Sequence, residues 1–138
     1  MLSVCQKGLA MGKLVLFSQM QGVVTLAGAP VPGAVLEREF RWAWKRETGT
    51  ETTETDAAGR FRFPAIERSS FLGFLLPHEP NVRQTVLIRH GGKSFKAWMF
   101  DKGNYRANGE VGKPIVMTCR LDSEPAHDGD VFGICELR

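Results

Sequence analysis

Apolar residues recur at every second position along much of this chain, and clusters of Gly and Pro break the runs at short intervals. A period of two puts alternate side chains on opposite faces of a strand, so it marks strands with one face in a core and one in water. The pattern is plainest between Met20 and Phe63. Met20–Leu26 predicts a first strand. Ala27–Gly33 holds two prolines and two glycines, which cannot continue a ladder and predict a tight reversal. Ala34–Lys45 predicts a second strand. Leu36, Phe40, Trp42 and Trp44 share one parity there, and Glu37, Glu39, Arg41 and Lys45 share the other. Arg38 falls on the apolar parity, which predicts a bulge or a strand end.

The remaining segments read in the same way. Thr50–Asp56 is β-prone but polar on both faces, which predicts an edge strand or an exposed arm. Asp56-Ala57-Ala58-Gly59 is a turn, and Arg60–Phe63 alternates again with Phe61 and Phe63 inward. Ser69–Leu76 is an apolar run of buried-strand length, stopped by Pro77-His78-Glu79-Pro80-Asn81. Val82–His90 predicts a strand with Val82, Val86 and Ile88 on one face. Gly91-Gly92 is a hairpin signal, and Lys93–Phe100 is the returning strand. Asp101–Gly112 reads as a polar connection with a helical turn around Tyr105. Pro114–Leu121 is a strand with Ile115, Met117, Cys119 and Leu121 on one face. Asp122–Asp130 is a loop, and Val131–Leu137 is the last strand. No long helical period and no internal repeat is present, so the expectation is an all-β sandwich of about seven to nine strands.

Length and charge narrow this further. The 138 residues fit one domain with its own core, and 43% hydrophobic with 24% charged residues is an ordinary globular balance. We expect residues 1–12 to be a poorly structured N-terminal extension and 13–138 to be a single domain. The net charge of +3 comes from scattered Lys and Arg, without a basic run, which argues against nucleic-acid binding. No apolar run approaches the roughly 20 residues of a membrane span. Lys7 and Lys13 interrupt any signal-peptide core, so the expected address is the cytoplasm.

The three cysteines, Cys5, Cys119 and Cys135, form no CxxC pair. If Pro114–Leu121 and Val131–Leu137 make an antiparallel hairpin, one register sets Cys119 opposite Gly133. A shift of two residues sets it opposite Cys135 on the same face. A Cys119–Cys135 disulfide fits the second register and would move the expected address to the periplasm. Two buried thiols fit a reducing compartment.

Catalytic and metal chemistry find little support. His78-Glu79 lacks the second histidine of an HExxH helix and is flanked by prolines. His127 with Asp128 and Asp130 matches no EF-hand loop. There is no Gly-x-Ser-x-Gly elbow and no phosphate-cradling glycine loop. Glu37 and Glu39 share a strand face with Arg41 and Lys45, which reads as a solvated mixed-charge face. The expectation is therefore a protein without catalytic residues, metal or cofactor.

The Met20–Phe63 stretch resembles the carboxypeptidase-regulatory-like domains, which have the transthyretin-like (prealbumin-like, Greek-key) β-sandwich. The motifs that carry the likeness are Gly22-Val23, Pro30-Val31-Pro32-Gly33-Ala34-Val35 and Thr55-Asp56-Ala57-Ala58-Gly59-Arg60-Phe61-Arg62-Phe63. Leu36 stands where the pattern has Val. The rest is similar to an uncharacterised bacterial family of small stand-alone proteins, through Phe40–Trp44, Leu76–Pro80, Val82-Arg83-Gln84 and Gly133–Leu137. Hydroxyisourate hydrolases of the transthyretin-like group end in a Tyr-Arg-Gly-Ser type tail, whereas this chain ends Cys135-Glu136-Leu137-Arg138, so that activity is not expected.

What the resemblance implies is a binding module whose partner is a protein, an immunity or accessory protein for a secreted toxin of the type VI kind. Candidate contact residues are Glu51 and Thr53 on the edge strand, where strand addition is expected, His78 and Glu79 in the 77–81 turn, Tyr105, and His127. The alternative is a small-ligand or carbohydrate-binding sandwich using Trp42, Trp44 or Trp98, although parity assigns Trp42 and Trp44 to the core.

Overall fold

A computed structural model describes residues 13–69 and 77–138. The expected extension over residues 1–12, and residues 70–76 of the expected Ser69–Leu76 strand, lie outside the described residues. Within them the protein is an all-β sandwich with thirteen strands and no helix. The strands are β1 (Lys13–Phe17), β2 (Met20–Leu26), β3 (Ala29–Pro30), β4 (Val35–Trp42), β5 (Glu47–Glu54), β6 (Arg60–Phe63), β7 (Ile66–Ser69), β8 (Val82–His90), β9 (Lys93–Lys102), β10 (Ile115–Arg120), β11 (Ala126–Asp128), β12 (Val131–Gly133) and β13 (Cys135–Leu137). The count exceeds the expected number because several strands are only two or three residues long.

One sheet runs β11-β12-β9-β8-β4-β5. The second runs β13-β10-β2-β3, with β6 also paired to β2, and β1 and β7 form a separate pair. The β2–β10 pairing is parallel. The inward faces of the two larger sheets meet in one core that includes Val24, Leu36, Phe40, Phe63, Val86, Ile88, Trp98, Ile115 and Met117.

Turn chemistry sets the hairpins. Ala27 and Gly28, between β2 and β3, have φ of 53° and 81°. Gly91 and Gly92, between β8 and β9, have φ of 58° and 76°. Two consecutive left-handed residues make the turn whose twist matches that of a hairpin.

Three expectations need correction. Arg38 sits at no bulge, because β4 pairs without interruption from Val35 to Trp42 with both β5 and β8. Its side chain follows parity into the core and is 0% exposed. The last strand is not continuous either. β12 pairs with β9 and β11 in the six-stranded sheet, and after Ile134 the chain crosses to β10 as β13. Gly133 permits the crossing: its φ is +156°, and a Cβ there would stand 2.1 Å from Ala97 O. The segment around Tyr105 contains turns and bends rather than a helical turn.

Candidate functional site

β5 is the edge of the six-stranded sheet, paired along all eight residues with β4. Thr55 N–H donates to Ala34 O at 2.9 Å. The register stays unbroken from there, so strand alternation turns the N–H groups of Thr53, Glu51 and Gly49 toward β4. Those of Thr52, Thr50 and Thr48 face the open edge. Across that edge lies β7, which pairs with β1 and forms no backbone ladder with β5. Between them runs a groove of about 500 Å³ floored by Phe40 and Ile66 and walled by Gly49, Thr50, Glu67 and Arg68. Gly49 is required here: the Phe40 ring lies across it, and a Cβ would meet ring carbon at 2.4 Å. Arg68 crosses the groove at one end, where its guanidinium bonds Glu47 at 2.5 and 3.1 Å and lies 5.6 Å from the Phe40 ring centroid.

A buried polar network lies behind this edge. The Arg38 guanidinium lies between the Phe17 and Phe63 rings, 4.6 Å from each centroid. It donates to Ser18 O at 3.3 Å and Pro64 O at 2.6 Å, and it pairs with the Glu51 carboxylate. Its Nε has no hydrogen-bond partner. Burial lowers the Arg38 pKa, while the Glu51 hydrogen bond and charge and the Glu110 charge oppose the shift. Glu51 is thus held by a buried cation, which leaves it less free for a partner than its place on an edge strand implies.

Glu110 accepts from Ser18 N–H at 2.9 Å, Ser18 Oγ–H at 2.6 Å and Gln84 Nε2 at 2.8 Å. Gln84 Nε2 also donates to Leu16 O at 3.0 Å, and Gln84 Oε1 accepts from Trp98 Nε1 at 3.0 Å. Lys102 donates to Val15 O at 2.8 Å and Arg106 O at 2.6 Å. Burial pulls its pKa down to about 8. Together these groups lock β1 and the 103–114 connection onto β4, β8 and β9.

His78 and Tyr105, expected on separate loops, come together at one end of the sandwich with Trp42 and Trp44. His78 stacks on Trp44 with centroids 4.0 Å apart and planes 4° from parallel. Trp42 Nε1 donates to Tyr105 Oη at 2.9 Å, and Tyr105 Oη lies 2.8 Å from His78 Nε2. Burial raises the Tyr105 pKa, against the Trp42 hydrogen bond. This arrangement speaks against a sugar platform. Trp42 and Trp98 are buried, and the Trp44 ring already carries His78, with Lys45 Nζ 4.6 Å from its centroid.

The other candidates stand apart. Thr53 is half-buried beside a cleft on the β2–β6 side, and Glu79 is exposed in its turn. His127 is exposed on β11, with its ring 5.0 Å from that of Phe132. Cys119 lies opposite Cys135, and the two form a disulfide across β10 and β13. Among the described residues no group of three or more His, Cys, Asp or Glu side chains is placed to hold a metal ion. Among the described residues no helix is long and apolar enough to cross a membrane.

Sequence reasoning missed Arg38, Gln84, Lys102 and Glu110. Two of them carried a signal. Arg38 shares parity with Leu36 and Phe40, and Gln84 shares parity with Val82, Val86 and Ile88. A polar residue inside an otherwise apolar parity was the mark of a buried, hydrogen-bonded side chain.

A family model described as a domain of unknown function (DUF6795) matches residues 20–124. No curated protein and no solved structure matches the chain.

Proposed function

The chain belongs to this DUF6795 family, and we propose from that premise that it is a non-enzymatic protein-binding module that receives an extended partner segment at the open edge of β5. The observation that supports this is an eight-residue edge strand, laddered on one side only, with an open groove beside its central residues Gly49, Thr50 and Glu51. Strand addition needs such an edge: main-chain bonds supply affinity, and the groove selects alternate side chains. An incoming strand would lie over Phe40 and Ile66 with its backbone against Thr48, Thr50 and Thr52.

A toxin encoded beside this protein is the partner class we propose, on the resemblance of Phe40–Trp44 and Gly133–Leu137 to an uncharacterised bacterial family of small stand-alone proteins, which are plausible companions of secreted toxins. The likeness of Met20–Phe63 to carboxypeptidase-regulatory-like domains supports a transthyretin-like ancestry for the sandwich. We place the protein in an oxidising compartment such as the periplasm, which the Cys119–Cys135 disulfide supports over the cytoplasm.

The test is affinity purification from the native host with the wild-type chain and with Thr50→Pro. Proline at an outward-facing N–H of an edge strand is compatible with the sheet but removes a donor from the open edge. A stoichiometric partner captured by the wild type and lost with a folded Thr50→Pro supports the reading. Retention of that partner by Thr50→Pro overturns it.

A further inference from the structure

A second surface, on the opposite sheet, carries an independent signal. The outward face of the β13-β10-β2-β6 array displays Arg60, Arg62, Arg120 and Arg138. Two of these are neutralised locally: Arg60 pairs with Asp56 at 3.5 Å, and Arg120 with Glu136 at 2.9 Å. Arg62 and Arg138 have no carboxylate partner among the described residues. Both line the same open cleft, together with the paired Arg60 and Asp56 and with Glu54 at the end of β5. Its volume of about 660 Å³ is within the range of ligand sites.

Register places these two arginines at the ends of one row across four strands. Arg62 lies opposite Gln21, and Gln21 opposite Val116. Arg138 N–H donates to Val116 O at 2.9 Å, which sets Arg138 beside Val116. Its Nε is anchored on Thr118 Oγ1 at 3.0 Å, which steadies the guanidinium. Three strand spacings separate the ends of the row, so the two Cα atoms are about 14 Å apart. Val116 lies between them, with Val23 in the adjacent row, and both valines line the cleft.

We propose that this row binds an extended acidic segment of a protein partner, crossing the strands, with two carboxylates four positions apart and an apolar residue midway. An extended chain advances about 3.3 Å per residue, so carboxylates at i and i+4 are about 13 Å apart, and their side chains point the same way as that of i+2. The carboxylates then meet Arg62 and Arg138, and the middle side chain rests on Val116. Two arginine forks at the ends of one row, neither of them in an ion pair among the described residues, are complementary to that pattern. The arginine row is on a different sheet from the open N–H groups of Thr48, Thr50 and Thr52, although the end of β5 reaches its cleft through Thr53 and Glu54, so the Thr50→Pro test and the peptide titration fail separately.

The test is an NMR titration of the full chain with the blocked peptide Glu-Ser-Val-Ser-Glu at low ionic strength. The expected result is saturable shifts at Gln21, Arg62, Val116 and Arg138. Arg62→Glu and Arg138→Glu should each weaken binding about fivefold, the scale of one exposed ion pair. Arg83→Glu, on the other sheet, should leave binding unchanged. The double reversal should restore affinity for Lys-Ser-Val-Ser-Lys, which a merely disrupted surface cannot do. The proposal is overturned if Glu-Val-Glu binds as tightly, if Arg83→Glu weakens binding equally, or if the double reversal fails to take the basic peptide. Displacement of the peptide by inorganic phosphate or a single-stranded oligonucleotide at matching concentration also overturns it, because it assigns the arginines to phosphates.

Discussion

Removing the Glu110 carboxylate tests whether the buried network holds the sandwich together. Glu110 is 7% exposed, and its oxygens accept from Ser18 N–H, Ser18 Oγ–H and Gln84 Nε2–H. In Glu110→Ala three donors lose their acceptor. Gln84 Nε2 keeps Leu16 O, and Ser18 Oγ still accepts from Asn108 N–H at 2.9 Å, but Ser18 N–H is left with nothing. A buried donor left unmade costs about 1–3 kcal/mol. With partial relaxation, the three together should cost about 4 kcal/mol. That is a large share of the 5–15 kcal/mol typical of a domain. It corresponds to a fall in Tm of about 14 °C at this chain length. Trp98 bonds to Gln84 and so reports on the network, making urea unfolding followed by tryptophan fluorescence the assay. The reasoning is refuted if Glu110→Ala shifts the midpoint by less than the equivalent of about 1 kcal/mol with an unchanged m-value.

Three further outcomes follow from other parts of the molecule. The Cys119–Cys135 disulfide spans 16 residues, so reduction or Cys119→Ser with Cys135→Ser should cost about 3 kcal/mol, read as a lower urea midpoint. Ala27 holds a left-handed φ of 53° ahead of Gly28, so Ala27→Asn, which suits that conformation, should stabilise by about 0.5–1 kcal/mol in the same assay. Lys102 loses its proton at about 8 in the folded chain but near 10.5 when unfolded. The unfolded chain therefore binds more protons between those values, and the Lys102 contribution makes stability rise with pH in that window. Comparing wild type with Lys102→Met between pH 8 and 10 should show the steeper rise in the wild type, and equal slopes would contradict the assignment.

Much of this architecture could be read from alternation alone, because period-two patterning and turn residues act locally. β4, β6, β8 and β10 follow their apolar parities, and Gly91-Gly92 turns the hairpin between β8 and β9. Thr50–Asp56 was legible as an edge strand or an exposed arm because it is polar on both faces, although the strand itself runs Glu47–Glu54. What escaped depends on contacts between residues far apart in sequence. Glu110 meets Ser18 across 92 positions, and Lys102 meets Val15 across 87. No local pattern encodes such a pairing. Arg38 was read as an interruption because a charge on an inward parity ordinarily breaks a strand. The two aromatic rings, the paired Glu51 and two carbonyls show how it is accommodated without one. The crossing at Ile134 was hidden because Val131–Leu137 alternates as one strand would, while Gly133 redirects the backbone between sheets.

That crossing has a mechanical consequence. β13 is held to β10 by three register pairs, of which the one farthest from the C-terminal end is Cys119 with Cys135. Tension applied at Arg138 would peel this strip like a zip fastener, one rung at a time, with little resistance from the first two rungs. At the third rung the load transfers to a covalent link and passes into β10, then through its parallel ladder to β2 in the middle of the sheet. Upstream of the link, Ile134 is tied to Lys96 O at 2.9 Å in the other sheet, so that anchorage is shielded from the pull. A tether or cargo attached at this end would therefore haul on the whole sandwich, and a reductant would turn the same attachment into a strip that tears free.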